Sequence, residues 1–593
     1  MQSLIILIIV ALSLSTNALG NETQSLDLPP DYYGTWLLAD GSKQWHISLY
    51  EDVIIYEGEL YEHYISERKN NKYIIVLDDI KLWLKLKEDV LQVKEENGEW
   101  EECKQYDDTK AVYEKGSDCP LEFSTEQDTT TIKGYIVNYN IKKGKVGKIS
   151  FFNSLLGQKE QDVFEINEKG VFEIRIPLSF TQQITVRLPD RRYTKPIFHP
   201  GEQVIIQFDK KQVLTFGKYA RLTQEYPYLR ELNYETSQKV IDSIVTSDKN
   251  THLASSDKML TDLLNQWSTS AVKYNVSPTM RQYGEDHLKY SCAYIRLFYR
   301  VNKSIEEKKL KKEGKTYAYE KLTKNDFDFV DALPIDEQSS LMQHYFYYFV
   351  NMLRGYDCLQ LSDSVYASKD LDLIYSSHHE KIIELLGQRG SLVSDVIISQ
   401  MLCPCATRPA LDSVKSTCVN DHIRTSFIKE YIYQCNDDVH KLAKENQSKT
   451  NYSLPKTPTT ESNKLFDEMI KPFEGKVIYI DFWATWCGPC RDDIMTIKPL
   501  KKDLEDRDDI VFMYITNESS PEEPYKSFIP DIKGQHYRVS HDKWNLITSK
   551  FGITGIPHCL IVDKNGKVVN NNDNIRVGNP KLKEILLKYA NKK

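Results

Sequence analysis

The stretch Asp481-Phe-Trp-Ala-Thr-Trp-Cys487-Gly-Pro-Cys490 joins an apolar run to a turn that carries two cysteines. A helix that begins at the first cysteine would place its sulfur among unpaired backbone N–H groups, where the helix dipole favours a thiolate. Two thiols separated by two residues can close into a disulfide and reopen. A purely structural bridge is disfavoured, because so small a ring removes little chain entropy. The stretch therefore indicates redox chemistry by thiol–disulfide exchange.

The sequence around this stretch alternates predicted strands with predicted helices. Residues 477–482 and 510–515 are apolar, strand-like runs, and the cysteines open a helix that we expect to run past Lys498. A helix, a strand and a last helix follow at 543–551, 559–562 and 580–590. Such alternation predicts an α/β fold with a central sheet covered on both faces.

Two short motifs make residues 463–593 resemble a thioredoxin-fold domain. They are Trp-Ala-Thr-Trp-Cys-Gly-Pro-Cys-Arg at 483–491 and Gly555-Ile556-Pro557 downstream. Because the chain is also predicted to be exported, the domain is similar to the TlpA/ResA group of disulfide reductases. In this reading Cys487 is the exposed nucleophile, and Cys490 resolves the mixed disulfide by attacking Cys487.

The resemblance also implies a substrate-binding rim around the cysteines, formed by Trp486, Gly488, Pro489, Ile556 and Pro557. A cis peptide bond before Pro557 would expose the backbone of Ile556, so that a substrate strand can pair beside the disulfide. Most relatives carry a proline where this chain has Met495. We therefore expect an active-site helix without a kink.

Two carboxylates are candidates for passing a proton to or from the resolving thiol. Asp481 matches a buried carboxylate of the thioredoxin pattern, and burial raises the pKa of such a group toward neutrality. Many exported relatives have Asn there and use a Glu after the next strand instead, a position that Glu518 matches. Either carboxylate, or both, could serve.

The N-terminus predicts export. Residues 4–14 form an apolar run of signal-peptide length, too short to span a bilayer, and the small residues up to Gly20 could accept cleavage. An uncleaved anchor or a buried element is the alternative, because no Lys or Arg precedes the run. No later segment is apolar for long enough to span a membrane, so we expect no integral span in the mature chain. The periplasm is the expected compartment.

Length, charge and motifs limit the function classes. A chain of 593 residues should divide into about three to five domains. Its net charge of −8 comes from scattered acidic and basic residues, so nucleic acid is not an expected partner. No flavin or nicotinamide fingerprint is present, and we expect no organic cofactor.

The chain is predicted to be multidomain, with N-terminal all-β units, a central α-helical domain and a C-terminal α/β thioredoxin-like fold. The β-rich runs of the second unit loosely resemble sandwich modules that precede the redox domain in exported proteins of Bacteroidetes-type bacteria. The predicted parts are a signal peptide at 1–20, a β-rich domain at 21–125, an antiparallel β-sandwich at 126–215, a helical domain at 216–444, a linker at 445–462 and the redox domain at 463–593.

The other cysteines do not form a dense framework. Cys103 and Cys119 are close enough in sequence to form a structural bridge. A second group, with His422 nearby, lacks paired C-x-x-C spacing, so we expect no zinc site there and no metal in the chain. Its members are Cys403, Cys405, Cys418 and Cys435.

The sequence thus predicts an exported protein-disulfide reductase that reduces or isomerises disulfides of client proteins. A membrane thiol–disulfide protein would supply its electrons, as the resemblance implies. The alternative is an envelope binding protein whose redox module only maintains an attached partner.

Overall fold

The computed structural model describes residues 28–592, apart from residues 43, 63, 71, 107–118, 210–212, 233–246, 317, 406–409, 461–463, 572–574 and 580. The predicted signal peptide, residues 1–20, lies outside these ranges. Among the helices described, none combines the length and the apolar character that a membrane crossing requires.

The first unit is a nine-stranded antiparallel sheet with the order β4-β3-β2-β1-β9-β8-β7-β6-β5. Its strands are β1 Gly34–Leu38, β2 Trp45–Leu49, β3 Ile54–Tyr56, β4 Glu59–Tyr61, β5 Ile65–Lys69, β6 Lys72–Leu77, β7 Ile80–Lys87, β8 Val90–Glu95 and β9 Glu101–Gln105. Tyr56 on β3 donates a hydrogen bond of 3.2 Å to Glu95 on β8. In a flat sheet these strands would lie about 19 Å apart. The sheet therefore curls around its apolar core.

The second unit consists of two four-stranded sheets and a short two-stranded one, with a shared apolar core. The strands are β10 Asp128–Ile136, β11 Val146–Asn153, β12 Gln158–Glu165, β13 Val171–Leu178, β14 Gln182–Gln183, β15 Thr185–Arg187, β16 Tyr193–Thr194, β17 Ile197–Phe198, β18 Gln203–Phe208 and β19 Val213–Phe216. The expected all-antiparallel pairing is wrong in one place, since β10 and β18 run parallel. A parallel pair needs a long crossover, which the strands between them provide here.

Helices dominate the centre of the chain, as predicted. They are α1 Ala220–Arg230, α2 Lys249–Lys273, α3 Pro278–Lys312, α4 His344–Arg354, α5 Asp363–Ser368, α6 Leu371–Leu386, α7 Ser391–Leu402, α8 Ser413–His422 and α9 Ser426–Gln447. Short 3-10 helices lie at Lys324–Ala332, Gln338–Met342, Asp357–Leu359 and Gln388–Gly390. The four cysteines of the second group are buried in the core of this region.

The C-terminal unit is a six-stranded sheet with the order β20-β23-β22-β21-β24-β25, and helices accompany its strands. The strands are β20 Tyr452–Ser453, β21 Val477–Phe482, β22 Ile510–Asn517, β23 Gly534–Val539, β24 His558–Val562 and β25 Val568–Asn570. The helices are α10 Leu465–Ile470, α11 Gly488–Thr496, α12 Lys498–Asp503, α13 Glu522–Phe528, α14 His541–Phe551 and α15 Leu582–Ala590. Strand β21 is buried along its whole length, and every residue in it except Asp481 is apolar or aromatic.

The predicted linker at 445–462 is wrong in two respects. Helix α9 continues to Gln447, and Tyr452–Ser453 pairs in parallel with Gly534–Gln535 as the edge strand of the C-terminal sheet. The short strand escaped prediction because its neighbours are Asn, Ser, Thr and Pro, which are typical of linkers.

The predicted continuous active-site helix is also wrong. Helix α11 ends at Thr496, and α12 begins at Lys498 with Pro499 in its first turn. Proline has no N–H group, and its ring clashes with the carbonyl four residues earlier, which here belongs to Met495. The helix is thus interrupted at Ile497, next to Pro499, although position 495 is a methionine.

The predicted bridge between Cys103 and Cys119 is wrong, because neither residue is in a disulfide. Cys103 points into the core of the first sheet. Cys119 packs against the cluster around α2 and α3, and its thiol lies 3.3 Å from the carbonyl oxygen of Lys218. The two sulfurs therefore belong to different cores.

Candidate active site

A disulfide joins Cys487 and Cys490, with a Cα–Cα distance of 5.3 Å. Strand β21 ends at Phe482, and a short turn leads to Cys487, which caps the N-terminus of α11. The Cys487 sulfur accepts a hydrogen bond of 3.2 Å from the backbone N–H of Cys490. This position gives the first sulfur a backbone donor and the positive end of a helix dipole, both of which stabilise a thiolate.

Both cysteines of the disulfide are buried. Cys490 is 0% exposed and Cys487 is 5% exposed, so the expectation of an openly exposed nucleophile is wrong. Both residues belong to a buried apolar cluster that includes side chains of the helical region. Packing against this neighbouring apolar surface leaves Cys487 only a small opening.

Two residues of the predicted substrate-binding rim, Trp486 and Pro489, are exposed at the surface, and Gly488 is partly exposed. Trp486 is 58% exposed, and its indole N–H donates to the Ser519 hydroxyl at 3.1 Å. Pro489 is exposed, and a Cβ placed on Gly488 would meet no atom within 4 Å. An exposed indole next to open space offers an incoming chain an apolar contact beside the disulfide.

The pairing of β24 with β21 places the Gly555-Ile556-Pro557 motif at the end of the sheet that carries the disulfide. The Ile556–Pro557 peptide bond is cis. His558, directly after it, pairs with Phe482 at the end of β21. Ile556 is partly buried and packs against the apolar cluster that contains both cysteines.

Asp481 lies on β21, in the middle of the sheet. It is paired with Tyr514 on one side and with Cys559 on the other. The side chain is almost fully buried, and its Oδ1 atom has no hydrogen-bond partner. Burial, reinforced by the negative charge of Asp493, raises the pKa of Asp481 well above its usual range. The carboxyl therefore keeps its proton to a higher pH than an ordinary aspartate does.

Residues 475–568 match the family model described as thioredoxin-like. The C-terminal domain is thioredoxin-like. The predicted resemblance to the TlpA/ResA group is confirmed by relatives that match 17–19% of the chain.

Three relatives illustrate the extent of the similarity. The chain is 25% identical to the thiol:disulfide interchange protein HelX of Rhodobacter capsulatus, over 19% of this chain and 59% of HelX. It is 27% identical to the thioredoxin-like protein YneN of Bacillus subtilis, over 26% of this chain and 84% of YneN. It is 28% identical to the thiol-disulfide oxidoreductase ResA of Bacillus thuringiensis, over 17% of this chain and 56% of ResA. The match thus spans little more than half of HelX and of ResA.

Two solved structures are also similar to the chain. One is the thioredoxin domain of a thiol-disulfide oxidoreductase from Bacteroides vulgatus, at 21% identity, with 21% of this chain and 84% of that chain covered and a TM-score of 0.19. The other is a thiol:disulfide interchange protein from Bacteroides sp., at 22% identity, with 21% and 78% covered and a TM-score of 0.19.

Charged residues that the sequence analysis missed surround Asp481 in the thioredoxin-like domain. Lys501 is buried, its pKa is lowered to about 7 by burial, and its ammonium lies 3.1 Å from the Tyr514 hydroxyl. The positive charges of Arg576 and Lys501 both oppose the rise in the pKa of Asp481. Arg576 also pairs with Asp493 at 2.8 Å. A buried lysine on a helix of mixed polarity gives no sequence signal, so only the fold reveals this group.

Glu518 is placed differently from Asp481. Its carboxylate is exposed and accepts a hydrogen bond of 3.1 Å from the backbone N–H of His541, at the start of α14. Such a bond satisfies one of the free N–H groups of a helix N-terminus. The structure thus gives Glu518 a capping contact, whereas Asp481 has the environment that raises a carboxyl pKa.

The thioredoxin-like domain is docked on the upstream units. Asp492 of α11 accepts a hydrogen bond from Gln161 of β12, and Asp503 pairs with Lys145 at 3.1 Å. On the helical side, Asn446 donates to the Ser527 carbonyl, and Lys449 pairs with Asp531. The helix that carries the disulfide therefore has one flank on the β-sandwich.

Proposed function

We propose that this chain is an exported thiol–disulfide oxidoreductase that reduces or isomerises disulfides of client proteins through Cys487 and Cys490. The observation that carries the proposal is the disulfide at the N-terminus of α11, with the exposed Trp486 beside it. The names of the relatives, which include interchange proteins and oxidoreductases, support the same chemistry.

The exchange starts from the reduced dithiol. The Cys487 thiolate attacks one sulfur of a client disulfide, forms a mixed disulfide and releases the other client sulfur as a thiolate, which takes up a proton. The Cys490 thiol then loses its proton, attacks the Cys487 sulfur and releases the second client thiolate. Two electrons have passed to the client, and the Cys487–Cys490 disulfide has formed again.

Asp481 is the proposed proton acceptor for Cys490. A buried thiol ionises poorly, so a nearby base with a pKa close to the working pH speeds its attack. The raised pKa of Asp481 brings it toward that range, and its unpartnered Oδ1 atom leaves an acceptor site for the proton.

Export and the electron source follow from the sequence rather than from the fold. The apolar run at residues 4–14 supports a signal peptide, and the proposed compartment is the periplasm. A membrane thiol–disulfide protein would return two electrons to the oxidised pair, since the chain carries no nucleotide fingerprint of its own.

A second candidate function rests on the docking of the thioredoxin-like domain. Its active-site helix contacts β12, and Cys487 has only a small opening. In an envelope binding protein, such an arrangement would let the redox pair maintain one attached partner instead of serving many clients.

Trapping separates the two functions. In a Cys490→Ser variant the mixed disulfide cannot be resolved, so client proteins should accumulate on Cys487 in the exported fraction. Several trapped proteins support the reductase, and a single trapped protein supports the binding function. A Cys487→Ser/Cys490→Ser variant is the control and should trap nothing. If Cys490→Ser carries only small thiols, the proposed client reduction is refuted.

A further inference from the structure

A histidine and three glutamates meet at one end of the first sheet, far in sequence from the redox pair. His46 lies on β2, Glu57 follows β3, Glu95 ends β8 and Glu101 begins β9. One possible ligand atom from each of His46, Glu57 and Glu101 lies within 4.8 Å of the others. Glu95 is held nearby by its hydrogen bond from Tyr56. The curl of the sheet brings these four strands together.

His46 is the buried member of the group. Its side chain is 4% exposed, and its Nε2 atom is buried without a hydrogen-bond partner. Buried polar atoms in folded proteins nearly always have a partner, and an unpartnered one costs stability. The nearest acidic atom is Oε2 of Glu101, at 3.3 Å from Nε2. Nε2 thus lies beside the Glu101 carboxylate, while the Glu57 carboxylate lies 3.9 Å from the other ring nitrogen, Nδ1.

The spacing suits a shared cation. Zinc binds nitrogen and carboxylate oxygen at about 2.1 Å, so two ligands of a tetrahedral ion lie about 3.4 Å apart. The 3.3 Å between His46 and Glu101 is close to this value. The Glu57 and Glu101 side chains are 57% and 47% exposed, so their carboxylates can rotate toward an ion.

The backbone fixes two of these residues relative to each other. The N–H of Glu57 donates to the carbonyl of His46 at 3.1 Å, which makes them direct cross-strand neighbours. Glu57 and Gly58 both have positive φ angles, 45° and 79°, and form the tight turn between β3 and β4. The position of Glu57 beside the imidazole is therefore set by the hairpin, not by a mobile loop.

A single ion pair leaves most of the charge in the group uncompensated. The group holds one imidazole and three glutamate side chains, whose carboxylates repel one another. A divalent cation would bind an imidazole nitrogen and offset this repulsion.

We propose that His46, Glu57 and Glu101 bind a divalent transition-metal ion, with Glu95 as a fourth acidic neighbour. One imidazole and several carboxylates form a donor set that suits Zn²⁺ or Mn²⁺. The ion would tie β2, β3 and β9 together and so stabilise the curled sheet. This role is separate from the exchange chemistry of the thioredoxin-like domain, and it departs from the expectation that the chain binds no metal.

The test is a titration of the full, disulfide-bonded chain with Mn²⁺ and, separately, with Zn²⁺. Free Mn²⁺ is followed by its electron paramagnetic resonance signal, and Zn²⁺ binding by calorimetry. We expect one ion per chain from at least one of the two metals and a higher melting temperature of the loaded protein. Glu57→Gln and Glu101→Gln should each weaken binding about tenfold or more.

Glu67→Gln is the matched control, because Glu67 is exposed on β5 of the same sheet and lies outside the group. It should bind the metal as the unchanged chain does. The glutamate variants keep every cysteine, so an ion held by thiolates would bind them undiminished, and that result overturns the proposal. Absence of binding by both metals at about 1 mM, the weak end of metal affinities in proteins, also overturns it. Glu57 and Glu101 lie at the surface, so their variants should fold as the unchanged chain does. His46→Gln, at the buried member of the group, is a third variant.

Discussion

Replacing Asp481 by Asn separates the proton acceptor from the rest of the site. Asn has nearly the same shape, but it cannot take a proton from Cys490. A positioned general base contributes about 10²–10⁴-fold to a proton transfer. We expect a loss of about 10²-fold at neutral pH, the low end of this range.

The pH dependence of this variant should change as well. Burial and the charge of Asp493 raise the pKa of Asp481, so its carboxyl stays protonated where an ordinary aspartate is ionised. The rate of the unchanged chain should rise as Asp481 deprotonates and then level off. In Asp481→Asn only the ionisation of Cys490 remains, so the rate should keep rising with pH up to the thiol's own pKa.

Stability gives an independent readout of the same carboxyl. Its pKa is raised on folding, so the folded chain binds more protons and loses stability as pH increases from about 3.9 toward the raised value. Asn removes this loss. At pH 8 the free energy of unfolding of oxidised Asp481→Asn should exceed that of the unchanged chain by about 1–3 kcal/mol, which is the cost of one unpartnered buried group. This difference should shrink toward pH 5.

The assay follows release of a coloured aromatic thiol from a mixed disulfide with Cys487, which requires attack by Cys490. Stopped-flow absorbance gives the rate between about pH 5 and about pH 9, a range that brackets a shifted carboxyl and a thiol. Glu518→Gln is the control and should leave the rate unchanged, because Glu518 is exposed and caps α14. Equal rates for Asp481→Asn and the unchanged chain, or equal slowing in Glu518→Gln, would refute the assignment.

Three further changes test other parts of the site. Lys501→Met removes a positive charge that lowers the pKa of Asp481, so the pH midpoint of thiol release should move upward; an unmoved midpoint means that the two groups are not coupled. Trp486→Ala should raise KM for a protein disulfide severalfold while leaving exchange with a small thiol unchanged, because the indole is 58% exposed beside the disulfide. Asp492→Lys places a cation near Lys159 and Lys148 and should loosen the docked domain, seen as faster proteolysis of residues 448–464, whereas Glu523→Lys at an exposed site should not.

The strands and helices of the thioredoxin-like domain were predictable where the sequence carries a local signal. The apolar run Val477-Ile-Tyr-Ile480 identifies β21, and the cysteine turn marks the start of α11. Strand β23 was missed, because Gly534-Gln-His-Tyr-Arg-Val539 is mostly polar and becomes a strand through pairing with β22 on one side and β20 on the other. Tertiary pairing overrides local propensity at such places.

The residues of the candidate site were also predictable only where they lie in a short sequence motif. Cys487, Cys490 and Pro557 lie in short motifs that can be read directly, and the position of Asp481 follows from its distance to the cysteines in sequence. Lys501, Asp493 and Arg576 belong to separate segments, and only folding brings them together. Electrostatic tuning depends on distances across the sheet, which residue spacing does not encode.

The burial pattern around the disulfide determines which sulfur a client can meet. Cys490 is fully buried, and Cys487 has a small opening next to the exposed Trp486 and Pro489. Under the proposed function, a client disulfide would meet Cys487 first, and the mixed disulfide would form on that sulfur. The helix dipole and the N–H of Cys490 stabilise a thiolate at that same sulfur, so accessibility and reactivity coincide. In the proposed mechanism the buried Asp481 acts on the other thiol, which needs a base because Cys490 is fully buried. The difference between the two cysteines thus arises from their positions at the start of α11, and the symmetric Cys-Gly-Pro-Cys motif does not by itself contain it.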